Sequence, residues 1–277
     1  MSGPTITVGQ NVGPKNARTD PATGIRWYTW RGVDYPSVTT IRALAGVPRR
    51  LHQWSINQVV NRALDRMAGY AAELASGEPE ALQRVREDLR RAAVDKREQK
   101  AAFGKAIHAA IEGGLSVMDV GADLAPRLRQ HAHWRGESGV EVLGREIQVW
   151  NLTVGYAGSV DLLGRFPDGS IWVVDDKTGG DTHEEGLYPE QLLQLLPYLM
   201  AEFVGSDDVV DERLTVLLHQ ARGVALLHLI DSGWEFRSLE ATPEAWAAFR
   251  GLLIFAMWAA NHESIDSVTL GRKRGAA

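Results

Sequence analysis

Two textures divide the chain. Up to about residue 138 apolar residues recur at helical spacing, and from Val140 onward they alternate or run in short β-rich blocks. Residues 1–24 carry Gly, Pro, Asn and Thr without a period and read as a flexible arm. IRWYTWRGVDY, from Ile25, alternates about Arg31 and Gly32 as a short hairpin. Ser37, Thr39 and Thr40 can cap a brief helix at residues 40–44, ended by Gly46 and Pro48. Helical patterns then cover residues 51–75 and 79–115, the second long enough for one or two helices. Residues 25–138 therefore form a mostly helical lobe, and 139–277 a separate core.

In that core VEVLGREIQVW, LTVGYAGSVDLLGRF and SIWVVDDK read as strands, with Pro167, Asp168 and Gly169 turning between the last two. A glycine break at Gly179 and Gly180 precedes a helix at residues 189–204. ERLTVLLHQARG and VALLHLI then read as two more strands, and a final helix spans residues 244–260. The order predicts a mixed α/β core with a helical lobe in front of it.

The 277 residues, 44% of them hydrophobic, suffice for a sizeable core. With 30 Lys and Arg against 35 Asp and Glu the formal charge is -5, so a nucleic-acid partner must be held by a local basic track. The absence of cysteine excludes disulfides, thiol nucleophiles, Cys-ligated zinc and an iron–sulfur cluster held on the chain's own thiolates. The first twenty residues have no apolar h-region and only Lys15 and Arg18 as basic groups, which predicts a cytoplasmic protein. Residues 246–260 are apolar but short and interrupted by Arg250, so no membrane span is expected.

Candidate chemistry gathers in three segments. If the hairpin loop is Pro167 to Gly169, pairing is symmetric about residue 168 and sets Asp161 opposite Asp175, with Cβ atoms about 4.5 to 5.5 Å apart. Alternation puts Asp175 and Lys177 on one face and turns Asp176 to the other. GKAIHAAIE places Gly104, His108 and Glu112 along one helical stripe, and Gln194 and Tyr198 share another. Two carboxylates about 5 Å apart repel by roughly 3 kcal/mol at an effective dielectric near 20, a conflict that a cation removes. Oxygen ligands with a single imidazole favour Mg²⁺ or Mn²⁺. His131 and His133 in QHAHW lack a third partner nearby and read as surface groups, and Arg272, Lys273 and Arg274 as a solvated basic tail.

These motifs, in this order, resemble the RecB-type branch of the PD-(D/E)XK nucleases. The set comprises GxxxHxxxE at Gly104, His108 and Glu112, YAGSVDLL with Asp161, VVDDKTG with Asp175 and Lys177, and QLLPY with Gln194 and Tyr198. YPSVTTI followed by LHQW is similar to the opening of phage exonucleases of this branch and of the mitochondrial genome maintenance exonuclease, and Glu146 in GREIQVW matches an acidic position that often precedes the hairpin. Cas4-like members carry cysteines for an iron–sulfur cluster, which this chain cannot hold. Pro197 departs from a regular helix and is expected to kink it.

The resemblance implies a restriction-endonuclease-like mixed β-sheet flanked by helices, and a divalent-metal-dependent DNA exonuclease of replication, recombination or repair. A structure-specific endonuclease and a non-catalytic DNA-binding subunit on a nuclease scaffold are the alternatives. It implies that His108, Asp161 and Asp175 ligate metal, with the backbone carbonyl of Asp176 as an extra ligand. Lys177 would position or help deprotonate the attacking water, and Glu112 would orient His108 or the water. Gln194 and Tyr198 would touch the nucleic-acid backbone or brace the lysine. The basic segment at residues 81–105 runs into the His108 stripe, so Arg97, Lys100 and Lys105 are expected phosphate contacts, with Arg49 and Arg50 as lesser ones. Its outer members suit a solvated helix laced with i to i+4 ion pairs at least as well. Trp54 is the candidate for base stacking, whereas Trp150 and Trp172 should pack.

Overall fold

The hairpin that organises the molecule turns where its loop residues dictate. Strand β5 (Tyr156–Arg165) pairs antiparallel with β6 (Ile171–Thr178) from Arg165↔Ile171 to Leu162↔Val174, and continuing that register one step sets Asp161 opposite Asp175. Phe166 closes the loop on Ser170, and Gly169 supplies the left-handed residue at φ +84° that a three-residue connection needs. The structure, a computed structural model, describes residues 17–21, 24–46, 49–179 and 188–260. Most of the N-terminal arm, Gly180 and the basic tail at Arg272, Lys273 and Arg274 lie outside the described residues, as do the side chains of Arg49 and Arg50.

β5 and β6 lie in a seven-stranded sheet completed by β4 (Glu141–Asn151), β7 (Phe203–Ser206), β8 (Val209–Val210), β9 (Ala221–Ile230) and β10 (Gly233–Leu239), in the order β10-β9-β6-β5-β4-β7-β8. Only the β6/β9 pair is parallel. One face packs Val160, Leu163, Val173 and Leu226 against helices α1 (Val38–Ala43), α6 (Pro189–Leu199) and α8 (Pro243–Ala260). The other packs Leu162, Val174 and Leu227 against α4 (Ala81–Glu112) and α5 (Ala125–Ser138), through Ile107 and Trp134. This is a mixed α/β sandwich of the restriction-endonuclease-like kind. A second sheet of β1 (Ala17–Thr19), β2 (Arg26–Trp30) and β3 (Val33–Pro36) seats Tyr28 and Trp30 on Trp150, and α2 (Arg49–Asp65) and α3 (Met67–Ala75) pack on α4.

Several elements differ from the sequence pattern. ERLTVLLH, expected as a strand, is a helix, α7 (Glu212–His219), because Asp211 caps it by accepting from the Leu214 N–H and because Leu218 then drops into the core. The strand beside β9 is the later GWEFRSL, β10. Helix α6 runs through Pro197 and stops at Leu199, and the residues after it form β7, whose Phe203 pairs with Trp150. Residues 79–115 hold one 32-residue helix, residues 51–75 are divided between α2 and α3, and pairing already begins at β1 within the expected arm. His131 is buried on α5 next to Trp134, so it is a core residue; His133 stays exposed, 3.0 Å from Glu137.

Candidate active site

Side-chain alternation breaks in β4 and β5 at the same level. Arg145 pairs with Leu162, which faces α4 and α5, but two residues on Ile147 pairs with Val160, and both face α6. The faces therefore invert across Glu146 and Asp161, and Glu146 takes up the change with φ +46°. A non-glycine residue there costs about 1 to 3 kcal/mol, strain of a kind concentrated at functional positions. The inversion turns two acidic residues of adjacent strands toward one point.

Helix α4 brings the third group. Gly104 has no side chain to hold it off, and a Cβ there would lie 3.4 Å from Thr178 Oγ1, so α4 crosses β6 in contact one residue beyond Lys177. One turn later the His108 Nδ1 lies 3.7 Å from Asp161 Oδ2. His108, Glu146 and Asp161 each offer a ligand atom within 4.8 Å of the others. The Asp176 N–H donates to Asp161 Oδ2 at 2.9 Å, and Ser159 Oγ donates to Glu146 at 3.0 Å, which fixes both carboxylates.

Asp175, expected beside His108, is engaged elsewhere. It is 2% exposed, ion-paired with the Lys177 ammonium and held by Gln194 Nε2 at 3.1 Å. Gln194 thus braces the Asp175–Lys177 pair. Glu146 occupies the place next to His108 and Asp161; its acidic match was visible in GREIQVW, but the inversion that aims it was not. The Asp176 side chain points to the α4 face and is absent from the 4.8 Å group, which leaves its main chain as the route to an ion there. Glu112 lines the cleft beside His108, and among the described residues no hydrogen bond joins the two. His228, which sequence reasoning missed, lies in register with Lys177 on the neighbouring strand and is buried.

The group sits in a cleft of about 1480 Å³, walled on one side by Gly104, Lys105 and His108 and on the other by Arg26, Tyr28 and Arg42. Lys105 therefore faces the cleft. Lys100 instead caps the half-buried Trp54, its Nζ 5.6 Å from the ring centroid, and Arg97 donates back to the Ala93 carbonyl at 3.3 Å. Tyr198 lines the cleft with Gln194 but is 2% exposed, its ring seated over Gly158, where a methyl group would collide with it.

Burial raises the Asp161 carboxyl well above the carboxylate range, and the charge of Asp175 raises it further. Burial likewise raises Glu146, against the hydrogen bond from Ser159. Burial lifts Asp176 to about 6 although His108 and Arg145 oppose it. At Lys177 burial works to lower the pKa, but the carboxylates of Asp175 and Asp161 override it and hold the ammonium above its usual value. One imidazole and hard carboxylate oxygens, crowded and short of positive charge, fit a divalent cation of the Mg²⁺ or Mn²⁺ type.

The PD-(D/E)XK nuclease superfamily model matches residues 48–251, which takes in α4, the β5–β6 hairpin and α6. The chain belongs to the PD-(D/E)XK nuclease superfamily. No curated protein matches it. Among solved structures the chain is similar to one titled crystal structure of SSO0001, with 16% identity and a TM-score of 0.30 over 48% of this chain and 56% of that one. Members of the superfamily are metal-dependent nucleases, so the coarse chemistry is phosphodiester hydrolysis. No helix among the described residues is long and apolar enough to cross a membrane.

Proposed function

We propose that the protein is a divalent-metal-dependent DNA exonuclease of the RecB-like branch, serving replication, recombination or repair. The observation that carries the chemistry is the convergence of His108, Glu146 and Asp161 within 4.8 Å, beside the Asp175–Lys177 pair at the floor of one cleft. The preference for ends rests on the resemblance of YPSVTTI and LHQW to exonucleases of this branch.

In this reading His108, Glu146 and Asp161 hold the ion, with the Asp176 carbonyl as a further donor and Asp175 tied to Lys177. A bound Mg²⁺ or Mn²⁺ supplies charge neutralisation at the phosphoryl group and lowers the pKa of water. The chain's own groups do the rest. Lys177, charged and oriented by Asp175, donates to the attacking water or to a phosphoryl oxygen as negative charge builds there. Gln194 fixes the Asp175 carboxylate and, through it, the lysine. Glu112 at the cleft wall accepts from water near His108. Lys105 meets the incoming phosphates, while Arg97, Lys100 and Trp54 form a more distant stretch along α4 and α2, where a single strand can lie on the Trp54–Lys100 pair.

The test is incubation with end-labelled linear DNA and covalently closed circles in Mg²⁺, Mn²⁺ or EDTA, beside Lys177→Ala. We expect metal-dependent loss of linear DNA only, abolished by EDTA and by the substitution. Nicked circles would make it an endonuclease, and DNA binding without cleavage would leave a non-catalytic subunit.

A further inference from the structure

Alternation in β6 sends Asp175 and Lys177 to the cleft face and Asp176 to the opposite one, where its neighbours are the apolar Val174 and, in register on β9, Leu227. Asp176 is 3% exposed there. A carboxylate so placed is costly unless something nearby makes use of its charge. Its Oδ1 has no hydrogen-bond partner, and neither has Nη2 of the half-buried Arg145. Both residues line, with His108, Asp161 and Glu146, a small cavity of about 10 Å³, room for a single water. The Asp176 carboxyl and the His108 ring thus share that cavity with the carboxylates of Asp161 and Glu146.

We propose that Asp176 is the residue that positions the His108 imidazole for metal binding. The proposal rests on the metal-centre reading above and assigns a role to a side chain that reading leaves unused. A histidine ligand must present a lone pair to the ion, so its proton has to reside on the other ring nitrogen. A carboxylate behind the ring holds it there, which fixes the tautomer and makes the ligating nitrogen more basic. Asp176 is in place to do this across the one-water cavity that both residues line. Glu112, on the same helical stripe as His108, also lines that cavity, but it is exposed and has no hydrogen bond to the ring among the described residues.

The test reads metal affinity rather than turnover. Mn²⁺ is titrated calorimetrically into wild-type protein, Asp176→Asn, His108→Ala and the Asp176→Asn/His108→Ala double variant. Asp176→Asn is expected to weaken Mn²⁺ binding about 10- to 100-fold. With His108 already removed, Asp176→Asn is expected to cost nothing more, because the two groups act as one unit. A merely structural Asp176 would lower the melting temperature and leave the affinity unchanged. The wild-type protein gives an independent reading should Asp176→Asn not fold: NMR of its His108 ring should show an N–H protected from exchange. Unchanged affinity in Asp176→Asn, additive losses in the double variant, or a His108 ring proton exchanging at the solvent rate would overturn the proposal. Wild-type protein that binds no Mn²⁺ would overturn the metal-centre reading and this one with it.

Discussion

The α2–α4 lobe and the cleft floor are both crowded with charge, and they dispose of it in opposite ways. In the lobe the strong pairs are exposed or half-buried. Arg62 donates to Asp95 at 2.8 Å, Arg66 to Asp88 at 2.7 Å, and Arg84 bridges Glu73 and Glu78 at 2.6 Å each. At the cleft floor Glu146, Asp161, Asp175 and Asp176 share Lys177, with Arg145 behind them, and burial drives three of those carboxyls upward. Long side chains in water rotate until opposite charges meet. The floor groups cannot: Glu146 is held by a left-handed backbone and Ser159, Asp161 by the Asp176 N–H, and Asp175 by Gln194. A negative excess that the fold maintains is what a cation site requires; a neutralised surface lattice only solvates a helix.

The largest effect should fall on the floor. Lys177→Ala and Asp161→Asn are expected to cut DNA hydrolysis by about a hundredfold or more, since each removes a group acting directly where charge develops. The melting temperature of the ion-free protein should hold or rise in Asp161→Asn, because the substitution relieves repulsion. Were Lys177→Ala to hydrolyse end-labelled DNA at the wild-type rate, the floor would be no different from the lobe.

A smaller effect separates two histidines two residues apart. Burial, then the positive charges of Arg145 on β4, Arg135 on α5 and His108 on α4, depresses His131 to about 4. The unfolded chain binds a proton near pH 6.5 and the folded chain does not, so stability is complete above that pH and falls as pH drops toward 4. The loss from this residue is at most roughly 3 kcal/mol. Urea unfolding at a series of pH values should show the slope in wild type and a flatter one in His131→Phe, while His133→Gln should track wild type.

Steric and surface changes come last. Gly158→Ala forces a methyl group into the Tyr198 ring and should cost about 1 to 3 kcal/mol by thermal or urea unfolding. Arg84→Ala, on an exposed residue of the lobe, should leave melting temperature and DNA hydrolysis unchanged within error. A clear loss of activity there would show that the lobe lattice shapes the substrate path.

The same contrast accounts for what the sequence made legible. Local geometry was readable: the Pro167 to Gly169 loop set the β5–β6 register, and the four-residue spacing of Gly104, His108 and Glu112 put all three along one wall of the cleft. What depended on distant packing was not. Nothing in VEVLGREIQVW announces that two adjacent strands will invert their faces at one level and carry Glu146 to His108 while Asp175 turns to Lys177. Tyr198 shares a stripe with Gln194, but its depth beneath Gly158 comes from the approach of α6 to β5. In QHAHW the two histidines look alike, and only the packing of α5 against the sheet separates the buried one from the exposed one. At residues 212–219, read as a strand, the Asp211 cap and the burial of Leu218 make a helix.

The claim that the floor keeps its negative excess for a cation is tested most directly by melting the protein at neutral pH with and without Mn²⁺, in wild type, Glu146→Gln and Asp161→Asn. The account predicts that Mn²⁺ raises the melting temperature of wild type, and that both variants are at least as stable as wild type without the ion but gain little from it. No shift in wild type, or the same shift in all three, would contradict it.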